Sequence, residues 1–513
     1  MKKIALISVS DKKNIDTFAS NLIENGYTIL STGGTAEFLK SKGIDIIPIS
    51  EFTNFDEILG GRVKTLHPII HAGILAKTQK DLDDLKDKKY YLIDIVAVNL
   101  YPFEKTISEK NCTFGKAIEN IDIGGPTLLR ASAKNHERVT VITEPEDYLK
   151  VIEEIKKTGS TTKSMRRKLA SKAFLKVSRY DSLIANYLLE DKDNKNLLSN
   201  IISIKGSELE ELRYGENPHQ KAKLYQVNSP ELASFDYSQI SGKKLSFNNL
   251  VDTESAFSCV EQFKDPTCVI VKHANPCGVA SATSLEEAYK KAYKTDSTSA
   301  FGGIITFNKK VSSVLIKKIL NKQFVEVIAA PAFDKNILDV IKSKPNVRLL
   351  QMKLKKNSMV FETKLLRNKL LVQEKDNKNL SKGDLKTVTH KKPTKKELDD
   401  MIFAFKVSRY VKSNSIVLVK NMKTLAIGAG QMSRIDSTNI AKNKAKKEKI
   451  SLKGSVMASE AFFPFRDNID LAKKLGVSAI IQPGGSINDN TIIEVANKHK
   501  LSMCFSKIRV FKH

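Results

Sequence analysis

Apolar runs alternate with amphipathic segments through the first 145 residues of the chain. Short runs rich in Ile, Val and Leu are typical of strands that are buried on both faces of a parallel sheet. They predict strands over residues 4–9, 27–30, 46–49, 93–100 and 139–143. The segments at 14–24 and 35–42 have the apolar spacing of helices. This alternation predicts a doubly wound α/β domain, in which helices join parallel strands.

A second region follows a polar stretch. Residues 146–197 have a mostly helical pattern, and the polar segment at 191–196 is predicted to be a linker. Further apolar runs predict strands at 268–272, 303–307, 325–329, 348–352, 416–419, 425–428, 455–458 and 479–482. The Lys-rich segment 374–396 is predicted to be a surface excursion. Because 513 residues are too many for one core, the length predicts two to four domains. We place two, at 1–195 and 200–513, on either side of the predicted linker.

Composition restricts the class of protein. No apolar run approaches the roughly 20 residues that a membrane helix needs. The apolar start of the chain stops at Ser10 without a small-residue cleavage site, which favours a first β-strand over a signal peptide. The five cysteines are scattered and odd in number, a pattern that fits a reducing cytosol. We therefore expect a cytoplasmic protein that makes no use of a membrane.

The formal charge of the chain is +28, and one interpretation of such a charge is nucleic-acid binding. Lysine far outnumbers arginine, however, and is spread along the whole chain. The densest run, at 442–449, lacks the interleaved aromatic residues on which bases stack, and the sequence has no tryptophan. We interpret the charge as general surface composition, of which a small part serves anionic substrates.

Glycines, hydroxyls and cations cluster in the predicted N-terminal domain. Gly-Gly-Arg-Val-Lys-Thr-Leu-His-Pro occupies 60–68, and Thr-Gly-Gly-Thr at 32–35 follows a predicted strand and opens a helix. Glycines let the backbone approach an anion, and the free N–H groups of a helix start hold a phosphate. Ser-Asp-Lys at 10–12 ends the preceding strand. Both segments are therefore expected at the carboxyl edge of one sheet, where ligands bind in such folds.

Other residues of this domain are candidates for proton transfer. Arg62 and Lys64 are separated by one apolar residue, so on an extended segment both cations face the same side. Lys134 stands just ahead of a predicted strand. A lysine that is partly desolvated near another cation can lose its proton near neutral pH and serve in acid–base catalysis. Asp122 and Tyr101 can orient a polar ring, although each alone is more often a cap or a surface residue.

The sharpest feature of the second region is a buried strand that runs directly into Lys-His-Ala-Asn-Pro at 272–276. An imidazole suits a general base because it titrates near neutrality, and an adjacent ammonium can stabilise a developing oxyanion. We expect Lys272 and His273 at the strand end, with Pro276 halting the strand. The alternative interpretation is an ordinary strand end with solvated charges.

Further segments of this region have the composition of anion or amide sites. They are Arg-Tyr-Gly-Glu-Asn-Pro-His at 213–219, Ser-Asn-Ser at 413–415, Gly-Ala-Gly-Gln-Met-Ser-Arg at 428–434 and Phe-Phe-Pro-Phe-Arg-Asp at 462–467. A metal site is not expected, because the sequence has neither a Cys-x-x-Cys pair nor a His-Glu-x-x-His motif. Cys277 lacks the second cysteine that zinc deaminases have three residues later.

In combination and in this order, these motifs resemble the bifunctional purine-biosynthesis family. That family couples 5-aminoimidazole-4-carboxamide ribonucleotide (AICAR) formyltransferase with inosine monophosphate (IMP) cyclohydrolase, and the similarity runs from Ser8 to the C-terminus. It implies formyl transfer from 10-formyltetrahydrofolate to the AICAR 5-amino group, followed by dehydrative ring closure to IMP. It also implies an N-terminal methylglyoxal-synthase-like domain and a C-terminal region of two cytidine-deaminase-like α/β subdomains without zinc. A homodimer with formyl-transfer sites at its interface is a further implication.

The resemblance assigns roles to individual residues. Lys134 would be the proton donor and acceptor of cyclisation, His273 the base of formyl transfer, and Lys272 the group that stabilises its transition state. The IMP and formyl-AICAR contacts would be Ser10, Asp11, Lys12, Thr32, Gly33, Gly34, Thr35, Arg62, Val63, Lys64, Thr65, Val98, Asn99, Tyr101, Asp122 and Ile123. The AICAR contacts would be Arg213, Tyr214, His273, Gly302, Glu326, Asn414, Phe462 and Arg509. The 10-formyltetrahydrofolate contacts would be Arg434, Ile435, Asp467, Ser486 and Ile487.

Ring closure needs only orientation and proton shuttling, so we expect no metal and no tightly bound cofactor beside the folate cosubstrate. The expected partners are small-molecule nucleotide and folate substrates and a second copy of the chain, without nucleic acid. One departure concerns the path of residues 355–400. The family carries Gly-Gly before Leu-Leu-Val-Gln, whereas Asn368 and Lys369 stand there in this chain, and neither is as permissive as glycine.

Two competing interpretations remain at this point. The N-terminal domain alone resembles methylglyoxal synthase, a lyase that eliminates phosphate, but this leaves the C-terminal region unexplained. A non-enzymatic RNA-binding protein would account for the charge alone and for neither cluster of substrate-like residues.

The interpretation of the charge can be tested with random-sequence RNA. We expect weak binding at physiological salt, because contacts between scattered lysines and phosphates are screened. A fluorescence-anisotropy titration in physiological salt measures this directly. Tight, salt-resistant binding to one RNA sequence would contradict the interpretation.

Overall fold

The computed structural model describes residues 3–189, 206–227, 235–353 and 361–513. The chain divides into two compact units, Met1–Lys205 and Gly206–His513. The predicted linker at 191–196 lies outside the described residues. Within the described ranges, no helix combines the length and the apolar character that crossing a membrane requires.

The first unit is built on a five-stranded sheet. Its strands are β1 (Lys3–Val9), β2 (Tyr27–Ser31), β3 (Ile47–Pro48), β4 (Ile95–Asn99) and β5 (Thr140–Ile142). Its helices are α1 (Ile15–Glu24), α2 (Gly33–Ser41), α3 (Ile49–Thr53), α4 (Pro68–Leu75), α5 (Gln79–Asp87), α6 (Phe103–Ile107), α7 (Phe114–Glu119), α8 (Gly124–Lys134), α9 (Tyr148–Thr158) and α10 (Lys163–Leu189). The strand order is β3-β2-β1-β4-β5, and all neighbours are parallel. Because the order reverses between β1 and β4, a crevice opens at the carboxyl ends of these two strands.

The strands of this unit form where the apolar runs predict them. Residues 4–7 of β1 and 95–98 of β4 are buried, because helices cover both faces of the sheet. The predicted helices at 14–24 and 35–42 are present as α1 and α2. The helical prediction for 146–197 is confirmed over α9 and α10, and its remainder falls outside the described residues.

The second unit contains two six-stranded sheets. Its strands are β6 (Gly206–Glu211), β7 (Lys223–Val227), β8 (Tyr237–Ser241), β9 (Thr267–Lys272), β10 (Asn275–Ser281), β11 (Gly303–Phe307), β12 (Val325–Ala330), β13 (Arg348–Met352), β14 (Phe361–Leu366), β15 (Lys369–Glu374), β16 (Lys386–Thr387), β17 (Ile416–Val419), β18 (Thr424–Gly428), β19 (Val456–Ser459), β20 (Ala479–Gln482) and β21 (Ser502–Phe505). Its helices are α11 (Phe247–Val260), α12 (Leu285–Thr295), α13 (Ser297–Ala300), α14 (Ser313–Lys322), α15 (Ile337–Ile341), α16 (Lys395–Ser408), α17 (Arg434–Lys447), α18 (Asp467–Leu475) and α19 (Asp489–Lys498). The orders are β10-β9-β11-β12-β13-β8 and β16-β21-β20-β19-β17-β18.

The two sheets meet at their outer strands. Ala280 of β10 forms an antiparallel bridge with Lys423, and the N–H of Val279 donates to Thr424 Oγ1 at 2.9 Å. Helices α11 and α16 contribute apolar side chains to one core that both sheets share. The second unit therefore consists of two mixed α/β subdomains, each built on one sheet.

The strands predicted for the second region are present as β9, β11, β12, β13, β17, β18, β19 and β20. The expectation that Pro276 halts the chain is wrong. The chain reverses through His273 and Ala274, and Pro276 is the second residue of the returning strand β10. A proline is tolerated there because β10 lies at the edge of its sheet, where the missing N–H breaks no ladder.

The departure from the family pattern lies in a β-hairpin. Strands β14 and β15 pair with Leu366 opposite Lys369, so Arg367 and Asn368 form the turn. Arg367 takes the positive φ, 54°, that a glycine would otherwise accommodate. The predicted surface excursion at 374–396 is mostly exposed, although β16 pairs with β21. Residues 354–360 lie outside the described ranges.

Candidate active sites

Polar side chains of the first unit gather at the carboxyl edge of its sheet, beside the crevice between β1 and β4. Asn99 ends β4, and its Oδ1 accepts hydrogen bonds from the N–H groups of Ser10 at 2.5 Å and Asp11 at 2.9 Å. Its Nδ2 donates to the carbonyl oxygen of Asp11 at 3.0 Å. One side chain from β4 therefore fixes the backbone of the loop that follows β1.

The segment at 32–35 begins α2, as the sequence predicts. Thr32 has the extended backbone of an N-cap residue, and Gly33 has a φ of 36°. The first N–H groups of a helix have no partner within the helix, so they remain available for a ligand. A Cβ placed on Gly34 would meet no atom within 4 Å, which leaves open space in front of the helix start.

Lys12 lies against the same helix start. Its Nζ donates to Thr35 Oγ1 at 2.7 Å, and the Thr35 hydroxyl also donates to the carbonyl oxygen of Val9 at 2.9 Å. Burial lowers the pKa of Lys12, and the positive charge of Lys64 lowers it further, while Asp11 opposes this shift. An ammonium in such surroundings releases its proton more readily than one in water.

Lys64 also faces the start of α2. Its Nζ lies 3.4 Å from a Cβ placed on Gly33 and 3.7 Å from one placed on Gly61. A side chain at either glycine would therefore come into van der Waals contact with this ammonium. Lys64 and Lys12 together set two cations beside the first N–H groups of the helix.

Arg62 has different surroundings from Lys64. Its Nε lies 3.5 Å from Glu119 Oε1, and both side chains are exposed. The segment before it is a 3-10 turn, Leu59–Gly61, followed by a bridge between Ile58 and Val63. The expectation that Arg62 and Lys64 share one side of an extended segment is therefore wrong.

Asp122 lies beneath the start of α8. Its Oδ1 accepts a hydrogen bond from the N–H of Gly125 at 2.8 Å, and the backbone of Tyr101 also donates to this carboxylate. Burial raises the pKa of Asp122, and these donors and Lys64 offset part of the shift. Asp122 is thus a half-buried carboxylate at the start of α8, and the charge of Lys64 lowers its pKa.

The remaining predicted contacts at this edge differ in the exposure of their side chains. Thr65 Oγ1 lies 2.8 Å from a Cβ placed on Gly124, so it touches the start of α8. Tyr101 and Ile123 have exposed side chains. Val98 is buried inside β4, which leaves only its backbone to face a ligand.

Lys134 is separated from this group within one chain. It is the last residue of α8, whose first residue follows directly after Ile123. Ten helical rises put about 15 Å between the two ends of the helix. The exposed Lys134 lines a cleft of about 650 Å³. The other residues that line this cleft are His71, Leu75, Thr127, Arg130, Ala131, Ala133, His136 and Phe174.

In the second unit, the first sheet brings predicted contacts together at one edge. Lys272 ends β9, Gly302 precedes β11, and Glu326 is near the start of β12. These positions adjoin because β9 runs antiparallel to β11 while β12 runs parallel to it. Lys272 Nζ donates to the carbonyl oxygen of Phe301 at 2.8 Å and lies 3.1 Å from a Cβ placed on Gly302. Gly302, with a φ of 69°, therefore leaves the room that this ammonium occupies.

His273 lies in the turn between β9 and β10. His273 and Ala274 have φ values of 51° and 54°, a left-handed backbone that is uncommon for residues other than glycine. Asp252 Oδ1 accepts a hydrogen bond from the N–H of Ala274 at 2.6 Å. Ser255 Oγ donates to the carbonyl oxygen of Ala274 at 3.0 Å. Side chains of α11 thus hold the turn that carries the imidazole.

A polar cluster surrounds Glu326. Its Oε2 accepts a hydrogen bond from Asn249 Nδ2 at 2.8 Å and lies 3.8 Å from a guanidinium nitrogen of Arg348. Burial lowers the pKa of Arg348, the charge of Glu326 raises it, and the charge of Arg213 lowers it. The Arg213 guanidinium lies 5.3 Å from the ring centroid of Tyr214. The predicted contacts at 213 and 214 therefore join the same edge of the sheet.

Asn414, which lies ahead of β17, is fully engaged within the protein. Its Nδ2 donates to the carbonyl oxygens of Gln431 and Met432, each at 3.0 Å. Its Oδ1 accepts a hydrogen bond from Arg434 at 2.7 Å, and the same guanidinium nitrogen bonds Glu460 Oε1 at 2.8 Å. The Arg434–Glu460 pair is buried. These predicted contacts therefore form a supporting network beneath the surface.

The exposed contacts of this subdomain lie on the loops above that network. The carbonyl oxygen of Phe462 accepts a hydrogen bond from Arg434 at 3.1 Å, which leaves its ring at the surface. The Arg509 guanidinium lies 4.5 Å from the ring centroid of Phe511. The backbone of Val510 donates to the carbonyl oxygen of Glu460 at 3.0 Å, which ties the C-terminal segment to the network.

The predicted folate contacts are near helix starts. Ile435 is half-buried in the first turn of α17, and Asp467 begins α18. Ser486 Oγ accepts a hydrogen bond from the N–H of Asn488 at 3.2 Å, and Ile487 beside it is fully exposed. Asn488 Nδ2 also donates to the carbonyl oxygen of Pro464 at 2.8 Å, so the loops at 462–466 and 484–488 adjoin.

The two groups of the second unit are connected through Asn275. Its Nδ2 donates to the carbonyl oxygen of His273 at 3.1 Å, and its Oδ1 accepts a hydrogen bond from the N–H of Lys412 at 2.9 Å. Lys412 lies two residues ahead of Asn414. The His273 turn and the Asn414 network are therefore neighbours.

Known families match both units. A family model described as an MGS-like domain matches residues 14–127, and one described as the AICARFT/IMPCHase bienzyme matches residues 132–444. The chain belongs to the AICARFT/IMPCHase bienzyme family. It is also similar to a solved structure titled "Crystal structure of ForH", with 33% identity and a TM-score of 0.34 over 37% of this chain and 100% of the other.

The bienzyme carries out the last two steps of purine biosynthesis, formyl transfer and cyclohydrolysis. It is both a formyltransferase and an IMP cyclohydrolase, and its formyl transfer uses a folate cosubstrate. The family resemblance found in the sequence is confirmed. The expected fold is also confirmed, with a methylglyoxal-synthase-like N-terminal domain followed by a mixed α/β region.

Sequence reasoning missed the residues of the bienzyme that support the predicted ones. These are Asn249, Asp252, Ser255, Arg348 and Glu460. A signal existed for the first three, because residues spaced by three lie on one face of a helix. No such signal marks Arg348 or Glu460, since charged residues at the ends of apolar runs are usually solvated.

Replacement of Asn99 tests the site at the first sheet. Asn99→Ala removes three hydrogen bonds to the 10–11 loop, and a displacement of about 1 Å in such a loop can cost about 10²-fold in rate. We expect kcat/KM for formyl-AICAR cyclisation to fall by that order while formyl transfer is unchanged. Asn111→Ala, at an exposed asparagine of the same unit, is the control. Normal cyclisation by a folded Asn99→Ala variant would exclude this site.

Proposed function

We propose that the two activities reside at two separate sites. The cyclohydrolase site lies within residues 1–195 at the carboxyl edge of the first sheet, and the formyltransferase site lies within 200–513 around the His273 turn. The arrangement that carries this proposal is the convergence of Lys272, Gly302 and Glu326 at one sheet edge beside that turn. The substrates are small nucleotides and a folate, and no nucleic acid is required.

At the formyltransferase site, the AICAR 5-amino nitrogen attacks the formyl carbon of 10-formyltetrahydrofolate. His273 takes the proton that the amine loses, and the bond from the formyl carbon to N10 of the folate breaks. Lys272 opposes the negative charge that develops on the formyl oxygen, as a fixed cation does in an oxyanion site. The N10 atom leaves with a proton, so formyl-AICAR and tetrahydrofolate are the products.

We carry the substrate contacts over from the family resemblance. AICAR is held by Arg213, Tyr214, Gly302, Glu326, Asn414, Phe462 and Arg509, together with His273. The folate is held by Arg434, Ile435, Asp467, Ser486 and Ile487. Exposed apolar side chains on these loops, Met432, Phe465 and Ile487, support the binding of an aromatic cosubstrate. Asn414 and Arg434 act mainly through the loops that they fix, because their polar atoms are already engaged. The folate is exchanged in every turnover, and no other cofactor is needed.

At the cyclohydrolase site, the carboxamide nitrogen of formyl-AICAR attacks the formyl carbon, and the adduct loses water to give IMP. The start of α2 supports binding of the phosphate by its N–H groups, with Lys12 and Lys64 as cations beside it. Asn99 and Asp122 support the loops around the ring. The other contacts are Ser10, Asp11, Thr32, Gly33, Gly34, Thr35, Arg62, Val63, Thr65, Val98, Tyr101 and Ile123.

Lys134 moves the proton in this cyclisation, and we propose that it does so in a homodimer, at the site of the partner chain. The helix α8 separates Lys134 from Asp122 by about 15 Å in one chain, so a second copy has to supply it. The same homodimer places formyl-transfer sites at its interface. The five cysteines in the described residues are free thiols, which supports a reducing, cytoplasmic location.

The role of Lys134 can be tested through the separability of the two activities. Lys134→Ala should abolish cyclisation and leave formyl transfer largely intact, because the formyltransferase site does not use this residue. The measurements are IMP formation from formyl-AICAR and formyl-AICAR formation from AICAR with 10-formyltetrahydrofolate. Equal loss of both activities in a folded variant would refute the two-site proposal.

Co-expression of Lys134→Ala chains with Lys64→Ala chains tests whether Lys134 acts across the dimer. Each mixed dimer then holds one intact site, so random pairing should restore about a quarter of wild-type cyclisation in a two-fold symmetric dimer. If Lys134 acts within its own chain, every site carries one defect and activity stays at the level of the single variants.

His273 and Lys272 act as a unit in formyl transfer. Replacing either by Ala should lower kcat by about 10²–10⁴-fold, the typical effect of a general base, while AICAR binding weakens far less. The double variant should be little worse than the poorer single one, because groups that act on one transition state are not additive. The circular-dichroism spectrum and melting temperature of the same samples report on folding, and Lys335→Ala is the matched exposed lysine. Near-wild-type formyl transfer by His273→Ala would refute the assignment.

A further inference from the structure

One face of α11 holds the turn that carries His273. Two consecutive residues other than glycine in the left-handed region cost about 1–2 kcal/mol each. Such a backbone persists only when the surrounding structure determines it. The contacts of the His273–Ala274 turn therefore indicate what keeps the imidazole in place.

All four backbone polar groups of this turn are engaged by side chains. The N–H of Ala274 donates to Asp252 Oδ1 at 2.6 Å, and its carbonyl oxygen accepts from Ser255 Oγ at 3.0 Å. The carbonyl oxygen of His273 accepts from Asn275 Nδ2 at 3.1 Å. The N–H of His273 donates to Asp252 as well. Asp252 is thus the one side chain that binds both residues of the turn.

The charge of Asp252 is coupled to both reacting groups. Burial raises the pKa of Asp252, while the turn N–H groups and the positive charges of His273 and Lys272 lower it. A partly buried carboxylate interacts more strongly with such neighbours than an exposed one does. The charged groups set against the imidazole are Asp252 from α11 and Lys272 from β9, with Lys412 beyond Asn275.

The same helix face reaches a second substrate-facing group. Asn249 lies three residues before Asp252 on α11 and donates to Glu326 Oε2 at 2.8 Å. Asn249, Asp252 and Ser255 follow one another at intervals of three and so form one polar line on this helix. If Asp252 only capped the turn, there would be no reason for the polar face of α11 that carries it also to bind Glu326.

We propose that Asp252 is a positioning residue of formyl transfer, which fixes the His273 turn and sets the charge against which the imidazole works. This inference rests on the proposed role of His273 as the base. Asp252 itself touches the turn and not the substrate, so it acts through His273. Its loss should lower turnover more than it weakens AICAR binding.

Two variants separate the shape of Asp252 from its charge. Asp252→Asn keeps an oxygen that can accept the Ala274 hydrogen bond but removes the negative charge, and Asp252→Ala removes both. We expect kcat of formyl transfer to fall by about 10-fold in Asp252→Asn and about 10²-fold in Asp252→Ala, because misplaced reacting groups lose rate steeply. The KM for AICAR should change much less than kcat in both variants.

The pH profile supplies a readout that a merely structural role would not move. Replacing the carboxylate by an amide removes a negative charge beside the reacting groups, so the pH profile of kcat/KM for Asp252→Asn should be shifted relative to that of the wild type. Glu254→Gln, an exposed neighbour on the same helix, is the matched control and should leave kcat and the profile unchanged. The melting temperature of the same samples reports on folding.

The outcomes distinguish this inference from the proposal on which it rests. If His273→Ala is inactive while Asp252→Asn has wild-type kcat and an unshifted profile, the role of Asp252 is overturned. A lowered melting temperature with unchanged kcat would likewise leave Asp252 as a structural residue only. If His273→Ala retains full formyl transfer, the proposed base is wrong whatever Asp252 does.

Discussion

A strand that is buried on both faces can carry polar side chains only where it ends. This constraint shapes both candidate sites, because strands such as β1, β4 and β9 are buried and mostly apolar up to the residue at which they end. In the first unit, Asn99 therefore lies at the end of β4, beside the loop after β1. In the second unit, the constraint brings Lys272 next to Gly302. Both candidate sites therefore lie at sheet edges, and the positions of Asn99 and Lys272 depend on the register of a buried strand.

The same constraint explains which parts of the structure the sequence predicts. Runs such as 269–271 predict strands because three successive β-branched residues favour a strand that is buried on both faces. Strand β10 escapes prediction because Pro276 and Gly278 interrupt its pattern, and tertiary pairing with β9 overrides that local signal. For Lys134, the sequence suggests a proximity that the structure of one chain does not have. Its sequence position just ahead of a strand suggests proximity to the other motifs, but the strand end that it precedes is the amino end, at the far end of α8.

The supporting residues are harder to predict than the substrate-facing ones. The predicted contacts stand in conspicuous motifs, whereas the roles of Glu460 and Arg348 depend on partners that are distant in the sequence. The buried pair of Arg434 and Glu460 shows why such residues matter. Removing one member would leave an uncompensated buried charge, at a cost of about 3–5 kcal/mol. Arg434 of this pair also bonds Asn414. Its replacement would therefore both destabilise the fold and displace the loop that carries Asn414.

The two sites achieve rigidity by different means. The first relies on hydrogen bonds from one amide, Asn99, to the main chain of a loop, which leaves the N–H groups of α2 free for an anion. The second must hold an imidazole and an ammonium in fixed positions, and it does so with a strained turn braced by a helix. The difference follows from the chemistry. In the proposed functions, ring closure within one bound molecule uses a shaped cradle and the proton transfer assigned to Lys134, whereas transfer between two molecules uses a base and a cation held at the point where the substrates meet.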